Sequence, residues 1–175
     1  MQLPLFASPF ESPFESHRKL IISLWQPWAI LWAAGKKQNE TRHWPFPVKY
    51  KGQKIFIHAA TKWDLSLREL CHEEPFCQAL QAISSLLLDT PEIPGVKYQI
   101  VKTGNLSLKL PFGAIVGQCQ LIKSVPTETL TQLNLDEEDF GDYSPGRFAW
   151  VAEQHQLVQP IPCIGRQGFW YGENI

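Results

Sequence analysis

The apolar run from Leu20 to Ala34 constrains this chain most, because it cannot form a single element. Gln26-Pro27 divides it. Proline lacks an N–H and fixes its own φ, so it suits the first turn of a helix and disrupts a helix interior. Leu20, Ile21, Ile22, Ser23 and Leu24 therefore read as a buried strand. Trp25-Gln26-Pro27 turns the chain, and Trp28, Ile30, Leu31 and Trp32 belong to a short helix that Gly35 ends. The same break leaves no apolar stretch of the roughly 20 residues that a membrane span needs.

Flanking segments read as follows. Ser8-Pro9-Phe10-Glu11 is repeated as Ser12-Pro13-Phe14-Glu15, and with Pro4 these prolines forbid a continuous helix. Residues 1–18 are expected to be an extended N-terminal arm, and residues 19–175 one domain. The start lacks the charged and apolar pattern of a secretory signal, so a cytoplasmic location is expected. Lys54 to Ala60 reads as a central strand. Residues 62–89 read as helical, split at Pro75, with Phe76, Leu80, Ile83 and Leu87 on one inward face. Residues 95–109 alternate weakly and suggest an extended excursion. Phe112 to Val125 reads as a strand bent at Gly113 or Gly117, and Thr127 to Asp142 as a polar linker. Arg147 to Leu157 reads as another strand. A final strand is expected near Ile161 to Ile164, with Phe169, Trp170 and Tyr171 closing the domain.

Few strands, an early helix and one helical insertion suggest an α+β protein, a small β-barrel with a short helix at its rim, although the strands alone fit other small β folds equally well. At 175 residues the chain suits one sizeable core, and 44% apolar against 19% charged residues is a globular balance. Cys71, Cys77, Cys119 and Cys163 form no C-x-x-C pair. Cys71, His72 and Cys77 lie close enough in sequence to share a metal, but burial as small apolar groups is the expected state. No metal or cofactor is expected. Glycine-rich phosphate loops, G-x-S-x-G and H-E-x-x-H are absent.

A net charge of −1 rules out indiscriminate binding of polyanions. Its distribution is uneven. Lys36 to Lys62 holds seven cations and one acid, whereas Asp136 to Asp142 holds five acids and no cation. One region can face phosphates while the other repels them.

The local motifs are more specific. Ser23-Leu24-Trp25-Gln26-Pro27-Trp28-Ala29 precedes Gly35-Lys36-Lys37-Gln38-Asn39-Glu40-Thr41-Arg42. Q-P-aromatic-A followed by G-x-K-x-x-E-x-R resembles the signature of the ASCH family, domains related to PUA RNA-binding modules. Gly35, Lys37, Glu40 and Arg42 stand in register with it. His58-Ala59-Ala60, Gly113 to Gly117, Gly146 to Trp150 and Gly165 to Trp170 resemble the family's later segments. The resemblance covers about residues 20–171. It implies a PUA-like barrel with a cleft beside the first helix, lined by the lysine, glutamate and arginine.

Such a cleft suits single-stranded RNA or a modified nucleoside, because aromatics stack on bases while cations hold phosphates. The expected ligand-binding residues are Trp25, Gln26, Trp28, Lys37, Glu40, Arg42 and His58. Each also has a structural alternative: Trp25 or Trp28 as core, Glu40 paired with Arg42, His58 as a satisfied buried histidine, Gln26 as a brace. The resemblance further implies a hydrolase alternative, acting on RNA or on an acylated nucleoside such as acetylcytidine, with Lys37, Glu40 and His58 as the catalytic candidates. Family members that hydrolyse acetylcytidine are thought to use a threonine three residues after the lysine. Here that place holds Glu40, and Thr41 is one residue out of register. A third alternative is a protein-interaction module using residues 8–15.

Overall fold

The computed structural model describes residues 18–88, 91–131, 133 and 135–173. The expected N-terminal arm lies outside the described residues except for Arg18. The chain forms a mixed α+β domain with one large sheet and one ribbon. Strand β1 (Arg18–Leu24) leads through the turn into helix α1 (Trp28–Ala33). Strands β2 (Asn39–Arg42) and β3 (Lys54–Ala59) follow. Three short helices come next: α2 (Leu65–Leu70), α3 (Phe76–Ala82) and α4 (Ser84–Leu88). Then come strands β4 (Lys97–Thr103), β5 (Leu106–Phe112) and β6 (Ala114–Pro126). Helix α5 (Leu135–Asp139), strand β7 (Phe148–Pro162) and strand β8 (Phe169–Glu173) complete the order.

The large sheet runs β2-β7-β6-β3-β1-β8. Its β1–β3 pair is parallel and its other pairs are antiparallel. Among the described residues no ladder joins β2 to β8, so the expected barrel is not closed by hydrogen bonds. The sheet nevertheless curls on itself. Trp150 of β7 stacks on Phe169 of β8, with ring centroids 5.1 Å apart and planes 11° apart. Phe46 and Tyr50 pack edge-on or tilted against that pair. Side chains from strands far apart in the sheet order thus pack together in one interior.

Helix α1 is buried on nearly all sides, which explains its uninterrupted apolar sequence. Gly35 ends it with a φ of 69°, while Lys36 N–H donates to the Leu31 carbonyl and Gly35 N–H to that of Trp32. This paired closure is the Schellman motif, and it requires the left-handed conformation that glycine adopts freely. The helical segment has one more break than expected: three helices in place of two, with Ile83 between the last pair. Pro75 is the residue that opens α3, and Phe76, Leu80, Ile83 and Leu87 are all buried as their spacing required. The excursion at 95–109 is a β-hairpin. Ile161 and Pro162 end a β7 longer than anticipated, and the closing aromatics form β8 itself.

Gly117 sets how closely α1 can approach the sheet. A Cβ there would lie 2.4 Å from Ala33 Cβ and 2.7 Å from the Gln156 carbonyl oxygen. Both are held by packed backbone, so neither can move aside cheaply. Gly117→Ala is expected to lower stability by about 2–3 kcal/mol, the usual scale of overpacking. Urea denaturation would show it as a lower midpoint at unchanged slope.

Candidate functional site

A cleft of about 1270 Å³ opens between α1, the ends of β1 and β3, the segment after α5 and the loop joining β7 to β8. Of the expected residues, Trp25, Trp28, Lys37, Glu40, Arg42 and His58 line it. Gln26 does not. It is fully buried, its Nε2 donating to the Pro111 carbonyl at 2.9 Å and its Oε1 accepting from Ile30 N–H at 3.1 Å. Both ends of its amide serve the fold, so its place is as a brace between the turn and β5.

One wall is a chain of charges. Lys37 is 1% exposed, and its Nζ has partners: it donates to the Asn39 carbonyl and pairs with Glu40 Oε2 at 3.1 Å. Glu40 Oε1 meets Arg42 Nε at 2.9 Å. Glu40 and Arg42 are neighbours on one face because β2 is extended, which places alternate residues together. Arg42 also lies over the rings of Trp44 and Trp150, each 5.9 Å from the guanidinium carbon.

The acidic segment borders the same cleft. Glu137 of α5 is buried, and its carboxylate accepts from Gln38 N–H at 2.7 Å, Asn39 N–H at 2.9 Å and Tyr143 O–H at 2.7 Å. Burial, and then the charge of Glu137, push the Tyr143 hydroxyl well above its ordinary value, so it remains a proton donor. Thr41 Oγ1 accepts from Asp142 N–H at 3.1 Å. Asp142 in turn pairs with Arg147 at 3.2 Å. Five cations (Lys37, Arg42, Lys97, Arg147, Arg166) face three carboxylates (Glu40, Asp139, Asp142) around the cleft. The cleft is therefore positive although the chain is not.

His58 sits on the floor, 2% exposed. Its Nδ1 is 3.1 Å from Ser23 Oγ, and its Nε2 is 3.3 Å from the Cys163 carbonyl oxygen. A carbonyl only accepts, so Nε2 bears the proton and Nδ1 accepts from the Ser23 hydroxyl. Trp170 Nε1–H donates to the same Ser23 oxygen at 3.1 Å. Burial lowers the affinity of His58 for a second proton, and the bond to Cys163 opposes this only in part. Burial thus favours the neutral ring, and the Cys163 carbonyl favours the tautomer protonated on Nε2.

At the mouth, Trp25 is 47% exposed, with Lys62 Nζ 3.7 Å from its ring centroid. Trp28 is half-buried and meets Phe76 edge-on. Among the described residues no three His, Cys, Asp or Glu side chains cluster to hold a metal. Cys71 and Cys77 are buried while His72 is exposed, and burial pushes the Cys71 thiol up to about 12. Among the described residues no helix is long and apolar enough to cross a membrane.

The architecture is a curled mixed sheet with a charged cleft beside its first helix. Its structural neighbours are ASCH-domain proteins. One is the ASCH protein of Zymomonas mobilis, at 15% identity, covering 89% of this chain and 88% of that one with a TM-score of 0.46. Two single-substitution variants of that protein match at TM-scores of 0.46 and 0.45. No protein-family model and no curated protein matches the chain.

Two outcomes are expected. Glu40→Gln removes the charge that compensates buried Lys37, so it should cost about 3 kcal/mol or more in denaturant unfolding. His58 and His155 are both held below the ordinary imidazole value by burial. The unfolded chain therefore takes up protons near pH 6.5 while the folded chain resists. Stability is full above that pH and falls as pH drops through the window below it. A His58→Gln/His155→Gln double variant should flatten this part of the Tm–pH curve.

Proposed function

We propose that the cleft binds single-stranded RNA, or a modified nucleoside as part of it. The observation that carries this reading is the exposed Trp25 under Lys62 at the mouth of a positive cleft. A ring of this kind stacks on a base of any sequence, and the cation beside it suits the adjoining phosphate. The cleft exceeds the roughly 300–1,000 Å³ typical of small-ligand pockets, which favours more than one nucleotide. The Lys37–Glu40–Arg42 wall offers both donors and acceptors to a base edge. In the same reading the curled sheet is a PUA-like barrel left open between β2 and β8, residues 19–175 are one ASCH domain, and the location is cytoplasmic. Residues 1–18 are an extended arm, with 8–15 available to a protein partner.

A hydrolase working directly through Lys37, Glu40 and His58 has less support. Lys37 and Glu40 neutralise each other, and both His58 ring nitrogens already have partners.

Titration with short single-stranded RNA, followed by tryptophan fluorescence at two salt concentrations, tests the binding reading. Saturable quenching that weakens as salt rises is the expected result. Trp25→Ala should weaken affinity by about 10–100-fold, the cost of losing one stacked base. Equal affinity in that variant, or no response to RNA, would overturn the assignment.

A further inference from the structure

We infer that Ser23 is a nucleophile for acyl groups, with His58 as its base and the Cys163 carbonyl as the group that orients the base. This goes beyond binding and does not depend on RNA. Ser23 and His58 are direct neighbours in the parallel β1–β3 register, so their side chains leave the sheet on the same face. Both line the cleft, but they differ in exposure: His58 is buried, whereas Ser23 is only partly so. The basic nitrogen thus reaches the cleft through the Ser23 oxygen, 3.1 Å away.

Three groups prepare the pair. The Cys163 carbonyl, 3.3 Å from Nε2, fixes the tautomer that leaves Nδ1 free to take the serine proton, and it stabilises the imidazolium that results. Trp170 Nε1–H, 3.1 Å from Ser23 Oγ, occupies one lone pair of the oxygen and holds it so that the hydroxyl hydrogen is left to His58. Gly165 fixes the ring plane, since a Cβ there would stand 2.2 Å from His58 Cε1. Burial of His58 favours the neutral ring, the form that a general base needs.

The chemistry balances with an acyl ester and water. Ser23 Oγ bonds to the acyl carbon as its proton passes to His58 Nδ1. The bond to the leaving group breaks, and the leaving group departs with that proton, giving an acyl-serine. Water then gives a proton to His58 and its oxygen bonds to the acyl carbon. The serine leaves with the proton, and a carboxylic acid is released. Leu24 and the strongly exposed Ile164 also line the cleft and offer apolar contact to a short acyl chain.

A fluorophosphonate probe tests this on the full chain, read by intact mass and peptide mapping, with p-nitrophenyl acetate turnover alongside. The expected result is one adduct per chain on Ser23, absent in Ser23→Ala. His58→Gln keeps a polar side chain of similar size but cannot accept the proton, and labelling should slow by about 100-fold or more. Circular dichroism and near-native unfolding midpoints establish that each variant is folded. No adduct on Ser23 in the folded wild-type protein, an adduct at another residue only, or an unchanged rate in folded His58→Gln would each overturn the inference. If His58→Gln does not fold, the pH dependence of wild-type labelling, followed down from about pH 8 through the range in which the protein stays folded, decides instead. The rate should be level above the ordinary imidazole value and fall only below it, and a rate that keeps climbing with pH above that value, as attack without His58 as base requires, would overturn the assignment.

Discussion

A carboxylate withdrawn from water must find its partners where it is buried, and Glu137 finds them on the far side of the cleft wall. Its two oxygens receive the backbone N–H groups of Gln38 and Asn39 and the hydroxyl of Tyr143. Unmet, such a group would cost several kcal/mol. The bond network therefore ties α5, the start of β2 and the segment at Tyr143 into one unit. Lys37 is buried beside this unit, between the exit of α1 and the start of β2, where Glu40 and the Asn39 carbonyl meet it. The wall is assembled whole, and its charges are ordered before any ligand arrives.

That ordering has a functional side. Lys37, Glu40 and Arg42 alternate in sign along one face, so each charge fixes the position of the next. A buried ion pair is a weak source of net stability, and its better-attested use is to specify one arrangement over others. At the mouth the logic differs. Lys62 over Trp25 is half in solvent and pairs with Asp64 at 3.5 Å, so water screens both of its contacts. The site pairs a stiff polar wall with an adaptable aromatic rim.

Much of this was legible in the residues. Pro27 and Gly35 bracket α1 because their backbone chemistry permits little else, and the spacing of Phe76, Leu80, Ile83 and Leu87 named a buried face correctly. The alternation of Glu40 and Arg42 announced a shared face once the segment was read as extended. Long-range facts were not legible. Strand register is set by pairing across the chain, so nothing local showed that Ser23 stands beside His58. The acidic stretch looked like solvated linker because its composition is what linkers have, and burial of Glu137 follows from which backbone donors happen to face it. Gln26 was open to two readings, a ligand contact because it sits within the motif or a brace for the turn, and its amide is taken up by Pro111 and Ile30 as a brace's would be. The barrel expectation met the same limit: curvature follows from packing of Trp150 on Phe169, and closure depends on edges that no short pattern describes.

The contact between Gly165 and His58 has an evolutionary consequence. The imidazole occupies the space that any side chain at 165 would need. The two positions are therefore coupled in descent. While the histidine is kept, the loop position is closed to nineteen amino acids, and a lineage that gives up the histidine is released to vary both. Across related sequences, the glycine should be lost only where the histidine has already gone.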